Sequence, residues 1–149
     1  MDYLTVRQTA EIWGHKHMEI TYNDTQSFQP EALQELFLSV EWESSQHPEK
    51  LAIAMAHSSC VFSAWDDGKL IGLINALDDG VMTAYIHFLL VRPEYQGKGI
   101  GTELLRMTTE KYRDYLRTVL IADDKETPFY QRSGFDLAKG TAAMFINRF

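Results

Sequence analysis

The sequence predicts an α/β domain built on one mixed sheet. Two observations carry that prediction: the hydrophobic period switches repeatedly between the helical and the strand value, and two Asp/Gly turns join three successive strands ahead of a strand–helix–strand crossover. The 149 residues are enough for one hydrophobic core without disulfides, and one domain over 1–149 is expected because no linker or repeat divides it. The first 16 residues have too weak a period to place. His17–Tyr22 alternates polar and apolar as a half-buried strand does. Pro30 opens a helical pattern through Leu33, Leu36, Phe37 and Val40, and Pro48 opens another through Leu51, Ala54 and Met55. Strands 61–65 and 70–77 flank Asp66-Asp67-Gly68-Lys69, a hairpin signal. Asp78-Asp79-Gly80 leads into a run from Val81 to Val91. A helix is expected over 102–116, a strand over 118–122, a short helix over 128–132 and a last strand over 142–146.

Charge and composition remove several functions. Fourteen basic against 21 acidic residues give −7, the wrong sign for a general nucleic-acid binder, which needs a basic face. No basic segment followed by an apolar run opens the chain, and no run approaches a membrane span. A cytoplasmic protein is the expectation. Cys60, the one cysteine, sits in a strand-like run and reads as a buried, inert thiol. It has no companions at metal-ligand spacing, so no metal is expected.

The densest chemical signal is Val91-Arg92-Pro93-Glu94-Tyr95-Gln96-Gly97-Lys98-Gly99-Ile100-Gly101-Thr102, with three glycines in five residues before a helix. Glycines let a ligand approach the backbone, and the helix N-terminus favours an anion, most naturally phosphate. The dinucleotide fingerprint G-x-G-x-x-G fails here. The nucleoside-triphosphate P-loop is absent as well. Gln-x-x-Gly-x-Gly does fit, at Gln96, Gly99 and Gly101. With Pro128-Phe129-Tyr130-Gln131-Arg132-Ser133-Gly134-Phe135, in the right order and separation, the chain resembles the GNAT superfamily of acetyl-CoA-dependent N-acetyltransferases over about residues 17–149. In motif it is most similar to the small arylalkylamine-type and bacterial members.

The resemblance implies a mixed, mostly antiparallel central sheet with flanking helices, whose fourth and fifth strands splay to form a cofactor cleft. It implies acetyl-CoA as cosubstrate, with pantetheine against backbone groups of Leu89, Leu90 and Val91. The pyrophosphate would take N–H bonds from Gly97, Lys98, Gly99, Ile100 and Gly101, with Thr102 at the helix start and Gln96 bracing the turn. Tyr130 is then the proton donor to the departing sulfur. His87, on the strand leading to the cofactor, is the candidate general base, although Tyr85 stands where similar enzymes have a second histidine. A structural histidine and a water chain to bulk both remain open. Residues 19–50 carry a balance of −6 and residues 92–117 a balance of +2. The acidic segment would attract a cationic amine, with Trp42, Phe37 and Phe28 as an aromatic wall, so Trp42, Glu43 and Tyr85 are candidate substrate contacts and Glu41 a second acidic one. A small-molecule primary amine is the expected acceptor. A protein N-terminus or lysine is the alternative within the class, and a non-catalytic acyl-CoA-binding sensor the alternative outside it. No nucleic-acid or membrane partner is expected, and a homodimer is what the superfamily implies.

Overall fold

A computed structural model describes the backbone of residues 8–12 and 16–18, and backbone and side chains from 19 to 149. Six strands form one sheet in sequential order: β1 (Gln8–Ile12), β2 (Lys16–Asn23), β3 (Cys60–Asp66), β4 (Lys69–Asp78), β5 (Thr83–Val91) and β6 (Arg117–Leu120). Neighbours are antiparallel except β5 and β6, which run parallel through the crossover helix. The helices are α1 (Pro30–Ser39), α2 (Pro48–His57), α3 (Ile100–Lys111) and α4 (Thr127–Arg132).

The sheet separates two apolar clusters. Leu33, Leu36 and Phe37 of α1 and Leu51 and Met55 of α2 pack on Val61, Leu70, Leu73 and Leu90. Ile100, Leu104 and Leu105 of α3 pack with Ile71, Ile74, Ala76 and Ile86 in the other cluster. Removing side chains of this size from water stabilises by roughly 1.5–3 kcal/mol each. Gly72 lets α3 lie close to the sheet: a Cβ there would stand 3.2 Å from Leu104 Cδ1 and 3.3 Å from Ile100 Cγ2. The start of α3 is thereby held beside the end of β5.

Local chemistry explains where the elements differ from expectation. Asp67 and Gly68 both have positive φ, 46° and 79°, as a two-residue hairpin between paired Asp66 and Lys69 requires. The second turn is longer. The Asp79 carboxylate accepts the N–H groups of Val81, Met82 and Thr83 at 3.0, 2.7 and 3.1 Å, so β5 begins at Thr83 rather than Val81. These bonds hold the Asp79 carboxyl below its ordinary pKa. Helix α3 starts two residues earlier than expected, at the glycine turn, and stops at Lys111, where Tyr112 donates from its hydroxyl to Asp78 Oδ2 at 2.7 Å. β1 is an added strand within the weakly periodic first 16 residues; positions 1–7 and 13–15 lie outside the described residues.

The expected strand over 142–146 is not present. Residues 135–138 and 141–149 have no regular structure, with a turn at 139–140 between them. Met144, Phe145 and Ile146 are exposed to 88%, 72% and 81%. The composition is that of a strand, but among the described residues no strand pairs with it.

Candidate active site

β5 and β6 stay paired for only four residues, from Thr83 opposite Arg117 to Ile86 opposite Leu120. β5 then runs on to Val91 along β4, while the chain after Leu120 leaves the sheet. The divergence opens a cleft of about 850 Å³, and one edge of β5 faces it. Phe88 donates its N–H to Asn75 Oδ1 on the β4 side at 2.9 Å, so the alternating backbone groups of Leu89 and Val91 face the cleft. The Val91 carbonyl is already engaged, accepting from Gln96 Nε2 at 2.9 Å. Gln96 therefore ties the glycine turn to β5.

The turn itself has the backbone its sequence suggests. Gly97 and Gly99 adopt φ of 77° and 82°, and a Cβ at either would meet no protein atom within 4 Å. Gly99 is the N-cap of α3. The N–H groups of residues 97–102 donate to no other backbone group, whereas the next one, on Glu103, donates to the Gly99 carbonyl at 3.0 Å. Gly97, Gly99, Ile100, Gly101 and Thr102 all line the cleft. An open, uncapped row of donors at the positive end of a helix fits a phosphate-bearing ligand. The Lys98 side chain takes no part in the lining. Its Nζ donates to the Glu94 carbonyl at 3.0 Å and lies 5.5 Å above the Tyr95 ring.

Halfway along the cleft, β5 carries a bulge. Phe88 pairs with Asn75 and Ile86 with Ala76, so His87 is the extra residue. Asn75, buried in the sheet, satisfies the irregularity: its Oδ1 takes the Phe88 N–H and its Nδ2 donates to Ser58 Oγ at 3.1 Å. His87 lines the cleft, stacked on Phe88 at 3.8 Å and on Tyr85 at 5.8 Å between ring centroids. Desolvation by these surroundings moves its pKa below 6.5, which leaves the imidazole neutral at pH 7. Tyr130, on α4, lines the same cleft, flanked by Phe129 and Phe135 at 5.0 and 5.9 Å. Burial, and secondarily Glu126, raises its pKa, so the phenol keeps its proton.

The structure brings Leu89, Leu90, Val91, Gln96, His87, Tyr130 and Trp42 to one cleft. It redistributes the expected acceptor contacts. Glu43 begins a 3-10 turn and does not line the cleft, whereas Glu41 does. Tyr85 backs His87 instead of forming the wall. Phe37 is wholly buried against Phe88 and Trp42, and Phe28 stacks on Trp65 beside a separate hollow. Three contributors escaped the sequence reading. Arg132 and Lys125 place cations on the wall opposite β5, and the motif carrying Arg132 was read only for its tyrosine. Asn75 was legible as a polar residue inside the apolar run 70–77. Cys60 is buried and its thiol is pushed up to about 11, chiefly by burial, and it does not line the cleft.

The comparisons with known proteins agree with this architecture. The sequence model of the acetyltransferase (GNAT) family matches residues 17–135. An uncharacterized N-acetyltransferase ycf52-like protein of Prochlorococcus marinus is 32% identical over 121 residues, 76% of this chain and 66% of that protein. The chloroplastic GCN5-related N-acetyltransferase 2 of Arabidopsis thaliana is 39% identical over 80 residues, 52% of this chain and 31% of that protein. The chain thus spans about a third to two-thirds of the length of these curated relatives. Among solved structures, a putative acetyltransferase of Deinococcus radiodurans superposes with a TM-score of 0.75 at 32% identity, covering 87% of this chain and 88% of the other. No helix among the described residues is long and apolar enough to cross a membrane. The mixed, mostly antiparallel sheet, its splayed parallel pair and the match over residues 17–135 lead to one conclusion: the chain belongs to the acetyltransferase (GNAT) family.

Proposed function

We propose that the chain is an acetyl-CoA-dependent N-acetyltransferase acting as one domain, with a small primary amine as acceptor. The observation that carries this reading is the convergence of two sets of unpaired backbone groups on one cleft: the free edge of β5 and the N–H row of residues 97–102. The first suits an extended amide-bearing chain, which can pair as a strand would. The second suits a pyrophosphate, supplied by the backbone of Gly97 to Gly101 with Thr102 at the helix start. The acetyl thioester is what such a ligand brings to the neighbourhood of His87 and Tyr130.

The remaining requirements fall to this chain's own groups. Neutral His87 takes a proton from the incoming ammonium, directly or through water. The Leu89 N–H, directed into the cleft, donates to the developing oxyanion. Tyr130, held protonated by its buried setting, delivers a proton to the leaving sulfur. Glu41 and Trp42, at the cleft wall after α1, form the acceptor end, where a carboxylate and an aromatic face attract a cationic amine. Glu41 holds φ 60° just after Val40, the C-terminal cap of α1, a conformation that favours glycine. A carboxylate kept there despite that preference supports a role at the acceptor end. In this reading the enzyme works in the cytoplasm as a homodimer.

Calorimetric titration with acetyl-CoA, with NADH and ATP as controls, is the direct test. Micromolar binding of acetyl-CoA alone is expected, followed by thiol release with small amines in preference to lysine-bearing peptides. Absence of acetyl-CoA binding overturns the reading, and peptide turnover with no small-amine turnover overturns the choice of acceptor.

A further inference from the structure

Asn75 is the one polar side chain among residues 70–76, the buried part of β4, and it is 2% exposed. Both ends of its amide are engaged. Oδ1 accepts the Phe88 N–H at 2.9 Å, and Nδ2 donates to Ser58 Oγ at 3.1 Å. Ser58, which caps the end of α2, is held in turn: its hydroxyl donates to the Ala54 carbonyl at 2.8 Å, and its carbonyl accepts from Gln26 Nε2. A chain of hydrogen bonds therefore runs from the segment before α1, through the end of α2, to one N–H of β5.

That N–H stands where the pairing of β4 and β5 changes step. Ahead of the bulge Ile86 faces Ala76; beyond it Phe88 faces Asn75, Leu89 faces Ile74 and Leu90 faces Leu73. Phe88 and Leu90 thus pack with the α1–α2 cluster, and Leu89 and Val91 with the α3 cluster. Hydrophobicity does not select this step. Phe88, Leu89, Leu90 and Val91 are all apolar, and a slip of one residue would still bury apolar side chains on both faces. The slip would put His87 opposite position 75 and turn the backbone groups of Phe88 and Leu90, instead of those of Leu89 and Val91, toward the cleft. It would also strip the buried Asn75 amide of the Phe88 N–H, a cost that falls on the slipped register alone.

We infer that Asn75, anchored by Ser58, is a positioning residue that pins the register of β5, and so decides that His87 and the Leu89 N–H are what the strand presents to the reacting centre. One buried polar group can specify register in this way at some cost in stability. The pinning is independent of what the cleft binds; its consequence for turnover rests on the proposed function.

The test uses the full chain with Asn75→Leu, which fills a similar space without a hydrogen bond. Cross-strand NMR contacts of the unmodified protein should place Ile74 opposite Leu89 and Leu73 opposite Leu90. In the variant, with far-UV circular dichroism retained, Ile74 should come opposite Phe88. Its kcat with acetyl-CoA and phenethylamine or putrescine should fall about 100-fold, as base and oxyanion donor are both displaced, and the acid limb of kcat/KM should vanish. Contacts that keep Ile74 on Leu89 overturn the inference. Shifted contacts with unchanged kcat and acid limb overturn the positioning role. An unmodified protein that turns over neither amine counts against the proposed function, and the contacts still decide the register. If Asn75→Leu does not fold, Ser58→Ala, which removes only the outer anchor, reads the same device: hydrogen exchange at the Phe88 amide should quicken about ten-fold, and unchanged exchange there overturns the inference.

Discussion

The cleft edge of β5 and the outer edge of β6 are both rows of unpaired backbone, fewer than two strands apart, yet their surroundings differ in kind. Beside β5 stand a neutral imidazole, a phenol, the Gln96 amide and the donor row of the glycine turn. Beside β6 stand Leu116 and Val119. Unpaired backbone does not by itself identify its partner; the side chains around it do. Convergent polar groups in a concavity select a small ligand, whereas an edge flanked by apolar side chains offers no such selection.

That comparison can be broken at either edge. The largest effect is expected at the glycine turn. Gly99→Val puts a branched side chain at φ 82° and into the open donor row, and should weaken acetyl-CoA binding more than 100-fold by calorimetry while leaving the association state unchanged. If the variant binds normally, the donor row is not the phosphate site. Next, Tyr130→Phe should lower kcat by about 10²-fold, within the usual range for a lost general acid, with acetyl-CoA affinity held within a few-fold. Full activity at neutral pH would remove the phenol from the chemistry.

His87→Ala should cost about ten-fold in kcat/KM and change the pH profile. Because desolvation depresses the imidazole pKa below 6.5, the neutral base is present at pH 7 and is lost only as pH falls through that lower value. The acid limb of kcat/KM should therefore lie below pH 6.5 and disappear in the variant; an unaltered profile makes His87 structural. The smallest effect sharpens the acceptor end. Glu41→Gly relieves a left-handed backbone, so stability should rise by up to about 1 kcal/mol in denaturant titration, while the acceptor KM should increase three- to ten-fold. A more stable enzyme with unchanged KM would reduce Glu41 to a helix cap.

Most of the sheet was legible because its signals are local. The Asp67-Gly68 turn fixes the β3–β4 hairpin, and Pro30 and Pro48 mark the first residues of α1 and α2. The glycine turn was legible because three glycines before a helix have few other uses. Tertiary chemistry hid the rest. Asp79 delays β5 through bonds to three successive N–H groups, and no hydrophobic period reports a side-chain cap. The bulge that turns His87 into the cleft depends on Asn75, whose partner Ser58 is 17 residues away. Periodicity predicted a strand over 142–146 and was overturned there: a strand needs a neighbour, and this segment finds none among the described residues. The Lys98 side chain was not legible in the motif: its Nζ reaches the Glu94 carbonyl, while its N–H stays in the open donor row.

The burial of Cys60 has a practical consequence. The only sulfhydryl of the chain is shielded at 5% exposure, and its thiolate is disfavoured at neutral pH. In a solution of the intact protein a chromogenic disulfide therefore finds almost nothing to react with, so in an assay of the proposed reaction the colour would count released coenzyme without a protein blank. Without substrates, the slow appearance of one equivalent per chain times the opening of β3, a strand in the middle of the sheet. One silent sulfur thus serves as a clock for the loosening of the scaffold on which both edges depend.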